Sequence, residues 1–464
     1  MHQVKRIYTW AVVAAFGILA IAWATGGRNK KQSSTVLAQS DTWTTPTAQR
    51  LGVRLVETRD PSGPPAYPVE AGDLLFFTNV GTSYGAKNVK NSVVVINAKT
   101  KKPIAMSDLD PLYTQKFASH GIGLSPDGKY IYLPSLASIV GPEGKTPDST
   151  LVLDARTLKI YQVLAAGGPP HHAKIFRNTA GKQLILVEHF NWSGTNSTGK
   201  GFYVLDPADN NRVIAGMLPS DLHGLPYTGF TTPDGKYLYY SMPPPNRAEL
   251  LHEVTGWVAK IDTDTWKVVQ SIPMKHYPLW TVFSADEKWA WVTNSIDDNV
   301  VKIQRATKPG EKDKVVAEIP VGPGPYGMRM SFDDKEVWVA DKGENGPKDG
   351  STITVIDAQN NTVKHTIQTN CIRNDHIILS PDGSEMWATC NTSHEIVVVD
   401  AKTYSIKTRI PMPNVGDSHG GVFVQYSRGP AGLVAEVVSD QNGFQGSSLD
   451  AQLKRTPQTV AEVR

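Results

Sequence analysis

Twelve histidines occur in this 464-residue chain, and five of them fall on fourteen positions that an internal repeat singles out. Those positions are the first two residues of seven short apolar strands: His120-Gly121, His171-His172, Tyr227-Thr228, Leu279-Trp280, Tyr326-Gly327, Asp375-His376 and His419-Gly420. Chance would put fewer than one histidine there. His223 and His276 lie three or four residues upstream of two of the same strands. Imidazole is the commonest metal ligand and suits copper, zinc or iron, so convergent histidines are what a metal site needs. The candidate ligands are His120, His172, His223, His276, His376 and His419. Asp375 would join them as a ligand or bridge, and Asp417 and Asp221 would orient imidazoles. Lys87, Glu188 and Arg329 are the candidate catalytic groups, acting on an anionic substrate or intermediate. Successive strand residues point to opposite faces, so one of His171 and His172 is expected to face the others. The competing reading is that these side chains fill a narrow tunnel and hydrogen-bond its waters.

The strands that carry these residues belong to a phrase of about fifty residues. Its full form runs from His120 to Leu133, with the turn Ser125-Pro-Asp-Gly128 and an aromatic-rich second strand. Copies follow at Tyr227–Tyr240, Leu279–Val292, Tyr326–Val339 and Asp375–Ala388, and weaker ones start at His171 and His419. Third strands such as Leu151–Asp154 and Val397–Asp400 are β-branched and alternating, which is strand grammar. Four strands per period predict an all-β fold, a seven-bladed β-propeller of four-stranded antiparallel blades. Leu74–Asn79 and Val93–Asn97 lack an inner partner, and the last repeat lacks outer strands. A closing blade shared between N- and C-terminal strands would remove both open edges. The first strand of every blade lines the tunnel, so its leading residues meet at one mouth. Two long excursions, Glu188–Lys200 and Pro243–Gly256, read as loops able to cover a face.

Domain boundaries follow: 1–25 as signal peptide or membrane anchor, 26–50 as flexible linker, 51–445 as propeller and 446–464 as C-terminal tail. Lys5 and Arg6 precede the uncharged stretch Ile7–Thr25, and Ala22-Trp23-Ala24 offers a cleavage site. A periplasmic or other extracytoplasmic location is expected, with anchoring through residues 7–25 if the segment stays. Cys371 and Cys390 flank the turn at Asp382 at a spacing suited to a structural disulfide rather than a redox or haem-attachment motif. A net charge of +3 speaks against nucleic acid as a partner. No Walker-type phosphate-binding glycine loop, Gly-x-x-x-x-Gly-Lys-Ser/Thr, occurs. Trp192, Trp280, Trp291, Trp338 and Trp387 read as packing between blades.

The Ser-Pro-Asp-Gly turn and the second strand ending in Val292-Thr-Asn294 resemble the YVTN group of propellers over roughly residues 70–440. Within that group, histidines on inner strands resemble the copper domain of nitrous oxide reductase, thiocyanate dehydrogenase and the haem d1 domain of cytochrome cd1. His171-His172 and Leu222-His223-Gly224-Leu225 look like the first of these, and His120, His172, His223, His276, His376 and His419 with Lys87 look like the second. The chain departs from them in having no cupredoxin domain, no Cys-x-x-x-Cys ligand set and no Cys-x-x-Cys-His. The resemblance implies a copper-dependent oxidoreductase, possessing one or several copper ions, that acts on a small inorganic or sulfur, nitrogen or one-carbon substrate. Electrons would leave to a soluble cytochrome or cupredoxin. Its rival is a non-catalytic module that holds a protein or a tetrapyrrole. A lactonase-like hydrolase with one divalent ion would need a carboxylate-rich mouth, which the histidines disfavour.

Overall fold

The repeat turn is closed by its own leading hydroxyl. In the turn starting at Ser125, the side-chain oxygen accepts from the backbone N–H of Lys129 and Tyr130 and donates to Asp127 at 2.6 Å. Ser284, Ser331, Ser380 and Thr232 repeat this arrangement. Gly128 takes the left-handed conformation, φ 64°, that the fourth turn position needs. Glu287 and Asp334 hold the same conformation in degenerate copies, so the turn survives without glycine at a cost of about 1 kcal/mol.

These turns organise seven antiparallel blades in a ring, seen in a computed structural model that describes residues 43–81, 92–109, 121–134, 139–141, 144–146, 148–189, 201–244, 252–306, 308 and 310–455. Numbered along the chain by their inner strands, blade 1 begins at Gly123–Leu124, blade 2 at Pro170–Arg177 and blade 3 at Gly229–Thr231. Blade 4 begins at Pro278–Phe283, blade 5 at Pro325–Met330, blade 6 at Asn374–Leu379 and blade 7 at Val422–Gly429. Middle strands such as Glu336–Asp341 are buried throughout because neighbouring blades cover both faces, whereas outermost strands such as Lys267–Pro273 are largely exposed. Trp291, Trp338 and Trp387 are among the large side chains buried this way.

Blade 7 closes the ring as the orphan strands require: Val422–Gly429 pairs antiparallel with Leu74–Val80, Phe77 opposite Val422. The ends depart from the expected boundaries. Pro46–Leu51 is a helix capped by Thr45 within the stretch read as linker, and Arg54–Thr58 adds a fifth strand to blade 1. The chain then does not stop at the inner strand of blade 7. Gly432–Asp440 pairs on its tunnel side, and Gly443–Phe444 and the helix Gly446–Arg455 follow. This C-terminal segment bonds to inner strands all round the ring. Asp440 accepts from Ile175 N–H, Asn442 bridges Ile175 and Thr231, and Ser439 donates to Leu379 C=O.

Cys371 and Cys390 form a disulfide with Cα atoms 5.1 Å apart, tying the entry of blade 6 to the end of its second strand. Among the described residues, no helix is long and apolar enough to cross a membrane.

One buried carboxyl gives the blades a pH signature. Asp341 is fully buried, with Oδ2 accepting from the hydroxyls of Thr352 and Thr354 and Oδ1 without a hydrogen-bond partner. Burial pushes its pKa up to about 7 against the pull of the two hydroxyls. A carboxyl whose folded value lies above its unfolded value stabilises the fold fully below about pH 4 and loses that contribution as pH rises through about 7. Asp341→Asn stays neutral, so its stability relative to the parent protein is expected to rise by on the order of 2–4 kcal/mol between about pH 5 and pH 8. Thermal unfolding of both proteins across that range checks this, and parallel curves would contradict it.

Candidate functional site

Four inner strands share one irregularity at their start. In blade 2, Pro170 pairs with His189 but Ala173 with Val187, so an extra residue bulges out between them. The same shift occurs between Pro278 and Thr281, Pro325 and Met328, and Asn374 and Ile377. A bulge suspends the two-residue alternation and re-aims side chains. His171 and His172 therefore lie side by side, ring centroids 3.7 Å apart and both fully buried, contrary to the expectation that only one would face the others. Asp375 and His376 occupy the equivalent bulge of blade 6.

The bulged residues converge. The His172 ring centroid is 5.0 Å from that of His376, which lies 4.9 Å from Trp280, 5.4 Å from Tyr326 and 6.0 Å from His419. Trp280 thus belongs to the site rather than to the packing between blades. Bare backbone makes room: a Cβ on Gly121 would come within 2.6 Å of the His172 ring, and one on Gly327 within 2.6 Å of Asp375 C=O.

Carboxylates stand behind the imidazoles. His172 Nδ1 lies 3.2 Å from Glu188 Oε2, and Glu188 also accepts from Lys174 at 2.7 Å and from the backbone of Gly229. Burial acts to raise the pKa of Glu188 and to lower that of Lys174, and each charge offsets the other. Asp375 lies 2.7 Å from His376 Nδ1, 2.8 Å from His419 Nδ1 and 2.7 Å from Lys342 Nζ. Burial alone would raise its pKa, but those three groups outweigh it and hold the carboxylate well below its usual range. His419 Nε2 faces Asp417 at 2.7 Å. Burial opposes its charge, yet Asp417 and Asp375 take its pKa up to about 9, so His419 is an imidazolium at neutral pH. Asn391 ties the two aspartates together, and Asn79 of the N-terminal strand accepts from His419 N–H. His376 differs: burial lowers its pKa, and its Nε2 is buried without a hydrogen-bond partner among the described residues.

The remaining candidates fall elsewhere. Lys87 and His120 lie outside the described residues, as does most of the excursion 188–200 and residues 245–251 of the second one. His223 is the exposed C-cap of a four-residue helix and lines a groove with Val269 and Lys312 at the outer edge of blade 3. His276 is part-exposed on the loop before blade 4, where Asp297 binds its ring at 2.9 Å and its backbone N–H at 2.6 Å. Neither joins the histidine groups, because the loops entering blades 3 and 4 do not follow the repeat register. Arg329 sits toward the turn end of its strand, bonded to Ser439 of the C-terminal segment. His189 is buried against Tyr203. Residues that the repeat alignment passed over are Lys342 and Asn391, each directly after a second strand, and Gln441. That buried amide has no hydrogen-bond partner and lies against Gly420, next to His419.

A propeller whose tunnel mouth buries imidazoles among aromatic rings, three of them (His172, His376 and His419) backed by carboxylates, is the class of protein that fold and site define. The chain belongs to the cytochrome d1 haem domain family, whose profile matches residues 114–426. No match was found among curated proteins. Among solved structures it resembles dihydro-haem d1 dehydrogenase NirN in complex with DHE, at 20% identity over 78% of this chain and 77% of that one, TM-score 0.52. It also resembles Kuenenia stuttgartiensis hydrazine synthase, at 18% identity over 68% and 90% of the two chains, TM-score 0.52. A third is the Pseudomonas aeruginosa periplasmic gluconolactonase, at 15% identity over 75% and 99%, TM-score 0.53. At these identities the likeness is one of fold.

The family overturns copper as the cofactor: it is a haem domain family. The site agrees. A copper ring through His223 and His276 is not assembled. An iron tetrapyrrole makes a smaller demand on the donor set. It needs one axial imidazole, and His376 offers a buried Nε2 with its other nitrogen against Asp375. The residues fit that group.

Proposed function

We propose that the protein is an exported, haem-dependent redox protein that holds an iron tetrapyrrole at the histidine mouth of the tunnel. The observation that carries this reading is His376 Nε2, a buried imidazole nitrogen without a partner among the described residues, in a chain of the haem d1 domain family. When bound, the iron would supply one-electron chemistry on a small ligand. The chain's own groups do the rest. Asp375 orients His376, the imidazole that would hold the group, and raises its basicity. Trp280, Tyr326 and the paired imidazoles of blade 2 give flat apolar faces that exclude water. His419 holds a proton between Asp375 and Asp417, its ring centroid 6.0 Å from that of His376. Glu188 positions His172 and is shut in by Lys174 and Thr228, which argues for a supporting role rather than contact with substrate. A soluble electron carrier is the proposed redox partner. The Cys371–Cys390 disulfide supports export to an oxidising compartment.

The test is the pigment itself. Protein purified from its native host should carry about one iron and one extractable tetrapyrrole per chain, and its Soret-region spectrum should shift on reduction. Colourless, iron-free protein that also fails to take up added iron tetrapyrrole would sink the proposal.

A further inference from the structure

At the turn end of the tunnel, a cavity of about 50 Å³ is lined by Arg177, Thr231, Arg329, Asn442, Phe444 and Gln445. Its wall is shared between the inner strands of blades 2, 3, 4 and 5 and the C-terminal segment. Arg329 is 3% exposed. A guanidinium has five N–H donors, yet its hydrogen bond among the described residues is the single one from Nη2 to Ser439 Oγ, at 3.0 Å. Its Nε is buried with no partner.

The neighbouring acid does not fill that gap. Asp440 spends Oδ2 on Ile175 N–H at 2.9 Å, and Oδ1 on Asn442 N–H and the Gln445 amide at 2.8 and 3.2 Å. Arg177, the second guanidinium at the cavity, reaches Asp450 at 3.5 Å. Phe444 lies 5.2 Å from the Arg329 guanidinium and gives only a weak aromatic contact. Burial lowers the Arg329 pKa to about 10, so the group is still charged at neutral pH. Asp440 offsets part of the Arg329 charge through space, but among the described residues no carboxylate bonds the guanidinium, so its open donors are left for an occupant of the cavity.

We infer that this cavity binds a small inorganic monoanion, of halide or nitrate size, held by the Arg329 guanidinium. At roughly 10–15 Å³ per water-sized occupant, the volume accommodates one such ion with a water or two. The ion would also tie blade 5, through Arg329, to the C-terminal segment that walls the cavity. The inference is independent of the tetrapyrrole, which belongs to the opposite end of the inner strands.

Thermal unfolding in chloride, bromide and nitrate, at ionic strength held constant with gluconate, reads the effect. A saturable rise of about 2 °C or more is expected in the unaltered protein, and none in Arg329→Gln. Crystals soaked in bromide should show an anomalous peak beside Arg329 Nε, a result that needs no variant and stands even if Arg329→Gln fails to fold. Equal melting in all anions, or water alone beside Nε, overturns the inference.

Discussion

Protein carrying His376→Ala should lose its pigment and remain a folded propeller. His376 reaches the site on the blade 6 bulge, touching Trp280, Tyr326 and His172 with its ring and Asp375 with Nδ1. Removing the imidazole takes away the only nitrogen assigned as axial donor, so affinity for the iron tetrapyrrole should fall more than 100-fold. Free imidazole in the buffer should restore part of it by entering the vacated space. The lost packing would cost about 2–3 kcal/mol, a tolerable amount in a seven-bladed ring. Asp375→Asn keeps the shape but removes the charge behind the ring, and a drop of about 10–100-fold is expected, as for other carboxylates that orient ligating histidines. His223→Ala is the control: its side chain stands exposed at a helix end, and neither pigment nor stability should change. Titration of apo-protein with iron tetrapyrrole, followed by absorbance, separates these outcomes. Unaltered binding by His376→Ala would remove this residue from the site.

The ring and its closure could be read from the chain because each depends on a local, repeated pattern. The hydroxyl-led turn, the aromatic second strand and the two strands without partners, Leu74–Val80 among them, recur at fixed offsets. The site was legible only as far as the register held. His172, His376, His419 and Asp375 follow from aligning the repeats, and they do lie together. His223 and His276 precede the strands on loops of no fixed geometry, so counting residues upstream did not locate them. The pairing of His171 with His172 was hidden by strict strand alternation. Its signal was present, since Pro170, Pro278 and Pro325 each open an inner strand two or three residues before the bulge closes. Lys342 and Asn391 occupy the same place after two different second strands, a position the repeat defines but an alignment on the inner strand does not examine. Copper failed because a count of histidines does not tell a copper site from a haem site, and the family is a haem domain family.

Ending the chain after residue 430 is expected to destabilise the propeller by roughly 3–6 kcal/mol while leaving blade 7 closed. The pairing of Val422–Gly429 with Leu74–Val80 survives such a cut, so the ring has no new outer edge. What disappears lies in the tunnel. Ile175 N–H loses Asp440, Thr231 N–H loses the Asn442 carbonyl, Leu379 C=O loses Ser439, and Arg329 loses its one hydrogen bond. Each group left without a partner costs about 1–3 kcal/mol when dry and less once water enters, which sets the range. The segment also buries Val437, Val438 and Phe444, whose apolar contacts go with it. Denaturant unfolding gives the total, and hydrogen exchange at the Ile175 and Thr231 amides gives the location. Asn442→Ala is the graded case. It removes the three bonds that join Ile175 and Thr231 and should expose the Thr231 amide while sparing distant blades. Because Gln441 lies against Gly420 beside His419, the cut also removes the floor of the histidine site. Pigment loss in the truncated protein, with pigment retained in Asn442→Ala, would show that the floor and the staple act separately. Unchanged exchange at both amides would mean that the C-terminal segment does not hold the tunnel in solution.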